Sequence, residues 1–202
     1  AQLLPQKPGK LRRVAFAQLA LLGTPDTHEL AARPEEERGR LSRAFALWLA
    51  ETFTYSGGFT PIAAIGVTGQ EHYALFPAEW TADNFRQLNE ASDNALDYVV
   101  TGWLRARHAD YELGVRVWEM KKSRELKSFT TKWSPATADE ALGKIHAQLR
   151  TYMEWTALPA GNGLAYAPPA APRAYLHALG ASLSLFLGEK GVLPAAHVVA
   201  DP

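Results

Sequence analysis

The sequence contains no cysteine among its 202 residues. It therefore cannot form a disulfide bond, a thiolate nucleophile, a cysteine zinc site or a cysteine-ligated iron–sulfur cluster. It also lacks net charge, because 21 lysines and arginines balance 21 aspartates and glutamates. Without an overall field, nucleic acid or an acidic membrane surface would have to be bound by a local basic patch. A run of about 18 apolar residues is absent too, so we expect no membrane insertion.

Known catalytic signatures are also missing. The sequence has no P-loop, no dinucleotide-binding glycine motif, no H-E-x-x-H, no G-x-S-x-G and no EF-hand loop. No two of its six histidines have a short metal-ligand spacing, and none is visibly paired with a nucleophile. His108 is expected in a hairpin turn, and His146 on the polar flank of a helix. We therefore predict no catalytic residue, no metal site and no cofactor, and a protein that is not an enzyme.

What the chain does contain is ample material for a core, since 47% of it is apolar and 10% is aromatic. The spacing of apolar residues and the turn signals divide it into strands and helices. Their order favours an α/β fold, a mixed sheet of about five strands with packed helices covering one face. The predicted strands cover 11–21, 59–67, 95–106, 111–120 and 124–133, and the predicted helices cover 33–58, 81–93, 134–155 and 173–191.

Composition along the chain predicts its domain organisation. The chain starts with Ala1 rather than Met, so we expect a processed or trimmed product, and its first residues have the character of a loose tail. A later stretch rich in Pro, Gly and Ala is typical of a linker. The predicted parts are a tail (1–10), an α/β domain (11–155), a linker (156–172) and an appended helical segment (173–202).

Local signals refine three of these elements. Pro61 cannot donate to a sheet ladder, which favours an edge position for its strand. Thr81 is a plausible N-cap of the short helix. Thr137 and Glu140 have the spacing of a capping box at the start of the helix 134–155.

Aromatic residues of the strands at 95–133 are candidate contacts for a protein partner. Trp103 and Trp118 each lie on the strand face opposite the main aliphatic set. Such a partly exposed aromatic face is a candidate contact surface. The alternative is that the tryptophans anchor the core and its rim. The candidate partner-binding residues are Trp103, Arg105, Trp118 and Trp133.

A basic cluster surrounds the last hairpin. With tryptophans nearby, it has the composition of an aromatic and basic nucleic-acid surface. The alternative is a solvated turn whose lysines protect an edge strand, and Glu119 and Glu125, which interrupt the cluster, favour this alternative. The cluster consists of Lys121, Lys122, Arg124, Lys127 and Lys132.

The strongest pattern is the three-strand segment that starts at Asp97. It has a Tyr-Val-apolar-x-Gly strand, a polar turn, a strand of alternating aliphatics, a second polar turn and a strand that ends in an aromatic residue. The residues that carry this pattern are Tyr98, Val99, Val100, Gly102, Leu113, Val115, Val117, Phe129 and Trp133.

This pattern resembles the amino-terminal α/β domain of TolB. It is still closer to the TolB-N-like domains of bacterial proteins that carry tetratricopeptide repeats or adenylate cyclase domains. The resemblance covers roughly 11–153, and the helix after it is similar to the first helix of a helical-repeat region. It implies a TolB amino-terminal, anticodon-binding-like fold and a protein-interaction or sensory module. It supplies no catalytic residues.

The resulting hypothesis is a non-catalytic interaction or regulatory module of a bacterial protein, in the cytoplasm or the periplasm. It would contact a protein partner through an exposed sheet face or edge, or through the appended helices. The alternative is a small-molecule-binding domain with a pocket between sheet and loops near His72 and Tyr73. Nucleic acid, bound through the basic cluster, is the least favoured partner. On the leading hypothesis four residues are turn and edge groups with no catalytic role: Arg105, Arg107, His108 and Asp110.

Overall fold

The computed structural model describes residues 7, 9–24, 36–69, 72–158 and 165–194. These residues form an α/β fold, as predicted. The strands are β1 (Arg12–Ala17), β2 (Ala20–Leu22), β3 (Phe59–Ala64), β4 (Val67–Thr68), β5 (His72–Tyr73), β6 (Tyr98–Arg107), β7 (Asp110–Glu119) and β8 (Arg124–Trp133). The helices are α1 (Glu37–Thr54), α2 (Ala82–Glu90), α3 (Ala138–Tyr152) and α4 (Pro172–Glu189).

The main sheet is mixed and has the strand order β3-β1-β6-β7-β8, with β2 also paired to β6. β1 runs parallel to β3 and to the first part of β6, and β2 runs parallel to the next part of β6. β6, β7 and β8 form an antiparallel meander. The prediction of a mixed sheet of about five strands is confirmed. The edge position expected from Pro61 is confirmed as well, because β3 ends the sheet.

The two hairpins of the meander fix which residues lie side by side. His108 and Ala109 connect β6 to β7, and His108 has a φ of 58°, in the left-handed region that tight turns use. The resulting register places Arg105 opposite Glu112, and the next hairpin places Glu112 opposite Lys132. Directly opposed residues project from the same face of a sheet, so these three side chains form a row.

The main core lies between one face of the sheet and the helices α1, α3 and α4. Alternate residues of the meander point into it, as the sequence pattern predicted, because successive strand residues face opposite sides. Aromatic rings fill its centre, and Phe53 contacts both Phe16 and Phe59 at ring-centroid distances of 5.0 Å. The strand residues in this core include Val100, Leu104, Leu113, Val115 and Val117.

A second, smaller cluster covers part of the opposite face, where helix α2 packs. Phe85 of α2 lies 4.8 Å from Trp118, measured between ring centroids, and joins Ala15, Leu96 and Val99 in this cluster. The expectation that the helices cover one face is therefore wrong for α2. The reason is that the outward-facing side chains near the start of β6 are apolar and need burial of their own.

The helices α2 and α3 differ in how their first turns are capped. Thr81 caps α2 in a reciprocal capping box with Asn84, so that prediction is confirmed. The capping box predicted for Thr137 is wrong, because its side chain makes no cap hydrogen bond. Its Oγ1 instead accepts a hydrogen bond from the Ser134 backbone N–H at 3.0 Å, closing the turn before α3. The predicted start of the first long helix, 33–35, lies outside the described residues.

Helix α4 packs on α1 and α3 and contributes to the main core. Pro172 occupies its first turn, where a missing N–H does no harm. Leu176 is 1% exposed and belongs to the main core cluster. A Cβ on Gly180 would overlap the Arg40 side chain, so the glycine allows α1 and α4 to approach closely. The appended helix of the prediction is thus present and in contact with the sheet domain.

Candidate functional site

A cleft of about 650 Å³ lies at the tip of the β6–β7 hairpin, beside the end of β8 and the start of α3. The row of Arg105, Glu112 and Lys132 forms one side of it. Tyr111 and Trp133 project from the opposite face of the sheet, and Ser134 leads into the turn before α3. Its lining residues are Arg105, Arg107, Asp110, Tyr111, Glu112, Lys132, Trp133, Ser134 and Thr137.

The charges of this hairpin-tip cleft are unequally paired. Glu112 accepts from two cations, since its carboxylate oxygens lie 3.4 Å from Arg105 Nη1 and 3.2 Å from Lys132 Nζ. Arg107 is exposed and makes no ion pair within the described part of the chain. Three lining residues are cationic and two are acidic, so the cleft has an excess of positive charge. An anionic group is therefore the ligand that it favours electrostatically.

Two aromatic residues line the cleft from the core face of the sheet. The rings of Tyr111 and Trp133 stack at 5.5 Å with an interplanar angle of 13°. The Tyr111 hydroxyl donates to Glu37 at 3.0 Å, and burial together with that carboxylate raises the pKa of Tyr111 well above its ordinary value. The same Glu37 accepts from Arg173 at 2.7 Å, and its pKa is lowered by the hydrogen bonds from Arg173 and Tyr111, which outweigh the opposing effect of burial. This aromatic pair is thus connected to α1 and α4.

The groups that line the cleft are charged, hydroxyl-bearing and aromatic. None of its nine lining residues is a histidine, and its two aliphatic hydroxyl groups, on Ser134 and Thr137, lie 3.3 Å from each other. No group of three metal-ligating side chains occurs among the described residues. None of the four described helices has the length and apolar character needed to cross a membrane.

Three of the four candidate partner-contact residues lie in or beside the cleft. Arg105 and Trp133 line it, and the Arg105 guanidinium lies over the ring of Trp103 at 5.2 Å. Trp133, however, is only 5% exposed and belongs to the main core, so it offers a partner little more than a ring edge. Trp103 is half-buried, and its indole covers Gly114 on the neighbouring strand.

Trp118 lies apart from the cleft. Its ring packs under α2 against Phe85, and its Nε1 donates to Thr101 at 2.9 Å. The described structure therefore places it in the second cluster, half-buried, rather than on an open aromatic surface shared with Trp103. Helix α2 covers it because Phe85 needs an apolar partner.

The predicted basic cluster does not form one patch. Lys121 and Lys122 lie in the turn before β8, whereas Lys132 lies near the far end of that strand, roughly 30 Å away at the usual strand rise. Arg124 donates to Glu119 at 3.0 Å, and Lys127 lies over the Phe129 ring at 5.8 Å. The residues of the cluster are thus spread over the edge strand β8 and the turn that precedes it.

Near His72 and Tyr73, where a pocket was expected, the described residues pack around the Tyr73 side chain. Tyr73 is 3% exposed, its hydroxyl lies 3.0 Å from that of Ser184 in α4, and the Arg43 guanidinium lies 3.7 Å from its ring centroid. These contacts bury Tyr73 against α1 and α4. His72 itself is exposed.

The sequence did not reveal a buried polar centre between α1 and α3. His146 is 1% exposed, and its ring stacks on Trp48 at 4.2 Å with an interplanar angle of 5°. Burial, with a smaller effect from the charge of Arg150, lowers the pKa of His146 to about 3, so its ring is neutral at neutral pH. The polar-flank prediction for His146 is therefore wrong.

A signal for this burial was present in the sequence. His146 follows Leu142 by four residues and precedes Leu149 by three, so it lies on the apolar stripe of α3. Its hydrogen-bond partners, Thr52 and Tyr166, come from α1 and from the predicted linker. Neither partner could be identified from helical spacing alone.

Comparisons with known proteins add similarities of fold. No family model matches the sequence, and no curated protein matches it significantly. The structure of TolB from Acinetobacter baumannii matches with a TM-score of 0.39 and 13% identity, over 73% of this chain and 30% of that chain. A PelC dodecamer from Paraburkholderia phytofirmans matches with a TM-score of 0.36 and 14% identity, over 71% of this chain and 87% of that chain.

A lipoprotein from Neisseria meningitidis matches with a TM-score of 0.36 and 12% identity, over 70% of this chain and 96% of that chain. The chain spans about 30% of the length of the TolB structure.

Proposed function

We propose that this chain is a non-catalytic protein-interaction module of a bacterial protein, and that the hairpin-tip cleft receives an acidic peptide segment of the partner. The observation that carries this proposal is the convergence of Arg105, Lys132 and Trp133 on one cleft of about 650 Å³. All three were predicted from the sequence as partner-contact or basic residues. Their convergence supports the interaction hypothesis over a dispersed set of surface charges.

Electrostatics supports an acidic partner. Glu112 is shared between two cations, which leaves part of the charge of Arg105 and Lys132 available to an incoming carboxylate. Arg107, which makes no ion pair within the described residues, adds a further donor at the rim. An arginine presents its donors in a planar fork that matches a carboxylate, so Arg107 is the natural first contact.

The test is selection from a random peptide display library, followed by affinity measurement of the selected peptides. We expect enrichment of peptides with Asp or Glu, because the cleft has excess positive charge. Replacing both Arg107 and Lys132 by alanine should weaken their binding about tenfold or more, which corresponds to about 1.4 kcal/mol. Binding should also weaken with added salt, since rim charges are screened.

The matched control replaces Lys121 and Lys122 by alanine. It removes the same charge from the turn at the other end of β8 and should leave peptide affinity within about twofold, because those lysines are distant from the cleft. Equal losses in the two double variants, or peptides without acidic residues, would contradict the proposal. A metabolite that raises the melting temperature by occupying the cleft, with no peptide selected, would favour the small-molecule alternative.

A further inference from the structure

The segment 165–170 runs over the surface between the body of the domain and α4. Four of its six residues, Ala165, Ala167, Pro168 and Ala170, are exposed. In the described part of the chain, no backbone–backbone hydrogen bond involves this segment. Tyr166 and Pro169 are half-buried, and among the described residues Tyr166 makes the hydrogen bonds and ring contacts of the segment. The segment is therefore attached to the domain chiefly by one side chain.

The hydroxyl of Tyr166 ends among three buried polar atoms. It lies 3.3 Å from Trp48 Nε1, which donates to it, 2.9 Å from Thr52 Oγ1 and 3.2 Å from His146 Nε2. Trp48 and Thr52 are 0% exposed and His146 is 1% exposed. Buried polar groups need hydrogen-bond partners, and Trp48 Nε1 finds its acceptor in this hydroxyl. Thr52 Oγ1 and His146 Nε2, which also lie 2.9 Å from each other, complete a socket for one oxygen atom.

The ring of Tyr166 is surrounded by other aromatic rings. Its centroid lies 5.8 Å from that of Tyr55, 5.8 Å from that of Trp155 and 6.1 Å from that of His146. The Arg150 guanidinium lies 5.4 Å from the same centroid, within cation–π range. An apolar ring that ends in one hydroxyl is the chemistry that these rings and this socket accept together.

We propose that Trp48, Thr52, Tyr55, His146 and Trp155 form a phenol-binding site that Tyr166 fills from the same chain. The site accepts the tyrosine side chain of a partner when the segment 165–170 detaches. A cleft of about 270 Å³ lies next to Tyr166, between the segment and Glu51, Tyr55 and Tyr175, and gives an incoming ring a path. This phenol site is separate from the hairpin-tip cleft and does not depend on the function of that cleft.

An external phenol has to compete with Tyr166 for this site, and this competition sets its expected affinity. Tyr166 is tethered to its site, so its effective concentration is in the millimolar range or above, and an external phenol must exceed it. Removing the Tyr166 side chain removes the competitor and leaves Trp48 Nε1 without its acceptor, whereas Thr52 Oγ1 and His146 Nε2 keep their hydrogen bond to each other. A ligand that restores both the ring and the hydroxyl then binds better than one that restores the ring alone.

The test uses the full chain with Tyr166→Ala and three probes: p-cresol, toluene and N-acetyltyrosinamide. We expect the variant to melt below wild type, and p-cresol and N-acetyltyrosinamide to raise its melting temperature with dissociation constants about tenfold or more below that of toluene. Wild type should respond to the same concentrations much less. The matched control is Tyr152→Ala, which removes a tyrosine that is 38% exposed on α3 and should create no response to phenols.

A second measurement applies if the alanine variant does not fold. The wild-type chain is labelled with 3-fluorotyrosine, and the Tyr166 fluorine signal is assigned by its loss in Tyr166→Phe. Saturating p-cresol should move that signal to the position of an exposed tyrosine. Equal affinity for p-cresol and toluene, or an unmoved fluorine signal, would overturn the phenol site. Binding of p-cresol without N-acetyltyrosinamide would overturn the tyrosine side chain as its occupant.

Discussion

At the scale of single residues, burial changes the chemistry of His146 more than that of any other histidine described. Its ring is stacked on Trp48 and hydrogen-bonded to Thr52 at 2.9 Å, so the positive charge of a protonated ring would be buried away from water. Burial accordingly lowers the pKa of His146 from 6.5 to about 3. Between about pH 3 and pH 6.5, the unfolded chain therefore binds a proton at His146 and the folded chain does not.

The first prediction at this scale concerns acid stability. As pH falls from about 6.5 toward 3, the proton taken up by His146 in the unfolded chain should reduce the free energy of unfolding by up to about 1.4 kcal/mol per pH unit. In His146→Gln this contribution disappears, so stability should depend less steeply on pH by about one proton. Urea unfolding at several pH values between 4 and 7 measures the slopes.

The control for this prediction is His108→Asn. His108 is exposed and has a positive φ that asparagine tolerates, so its variant should keep the wild-type slope. The reasoning about His146 fails if His146→Gln and wild type lose stability in parallel over this pH range. A lower stability of the variant at all pH values is expected from the lost ring stack and does not bear on the slope.

At the scale of elements, the β6–β7 hairpin depends on a glycine beneath a tryptophan. Gly114 lies opposite Trp103, and a Cβ on Gly114 would overlap the indole ring. Glycine is disfavoured in strands, since it gives up more backbone entropy on folding than other residues. Here the indole covers the bare backbone, and Arg105 lies over the indole in turn, which holds Arg105 toward the cleft. A cross-strand contact thereby helps to shape the candidate site.

The prediction for this hairpin is a coupling between two positions. Gly114→Ala should lower the free energy of unfolding by about 1–3 kcal/mol, because the indole must leave its place. In a Trp103→Ala background the same change should cost about 0.5 kcal/mol or less, as no ring remains to be displaced. A double-mutant cycle by urea unfolding measures the difference.

Gly143→Ala in α3 is the control for this cycle. A Cβ there meets no atom within 4 Å, and alanine favours a helix, so this change should be neutral or stabilising. Additive effects of Gly114→Ala and Trp103→Ala would mean that the indole does not restrict position 114.

Much of the meander was predictable because its information is local. Alternating aliphatics such as Val100 and Leu113 indicate the buried face, and the short hairpin turns place Arg105, Glu112 and Lys132 in one row. The socket of Tyr166 was not predictable in this way. Its members come from α1, α3 and a Pro- and Ala-rich segment without periodicity, and only tertiary packing brings them together.

At the scale of the whole molecule, α4 shares its core with the sheet domain. Leu176 is 1% exposed there, whereas Leu185 and Phe186, on the same helix, are 53% and 54% exposed. The predicted division into an α/β domain and an appended segment remains a prediction, and these two sides of α4 offer a way to test it. A helix held by a shared core should unfold together with the sheet.

The prediction at this scale compares two leucines of α4. Leu176→Ala should lower the free energy of unfolding of the entire chain by about 2–5 kcal/mol, because it leaves a cavity against the core. Leu185→Ala should change it by about 0.5 kcal/mol or less, since the residue is mostly exposed. Calorimetry should give a single transition in both variants. Two separate transitions would favour the independent appended segment.

The position of β1 has a consequence for how this chain reaches its native state. β1 lies inside the sheet, yet both of its neighbours, β3 and β6, come from much later in the sequence. Non-local parallel pairing requires large loops to close and is intrinsically slow. The meander of β6, β7 and β8 needs only short loops, so we expect it to form first. In this meander β6 is an unpaired edge strand before β1 pairs with it. Until β1 and β2 pair with β6, the folding chain is most prone to aggregate through this unpaired edge.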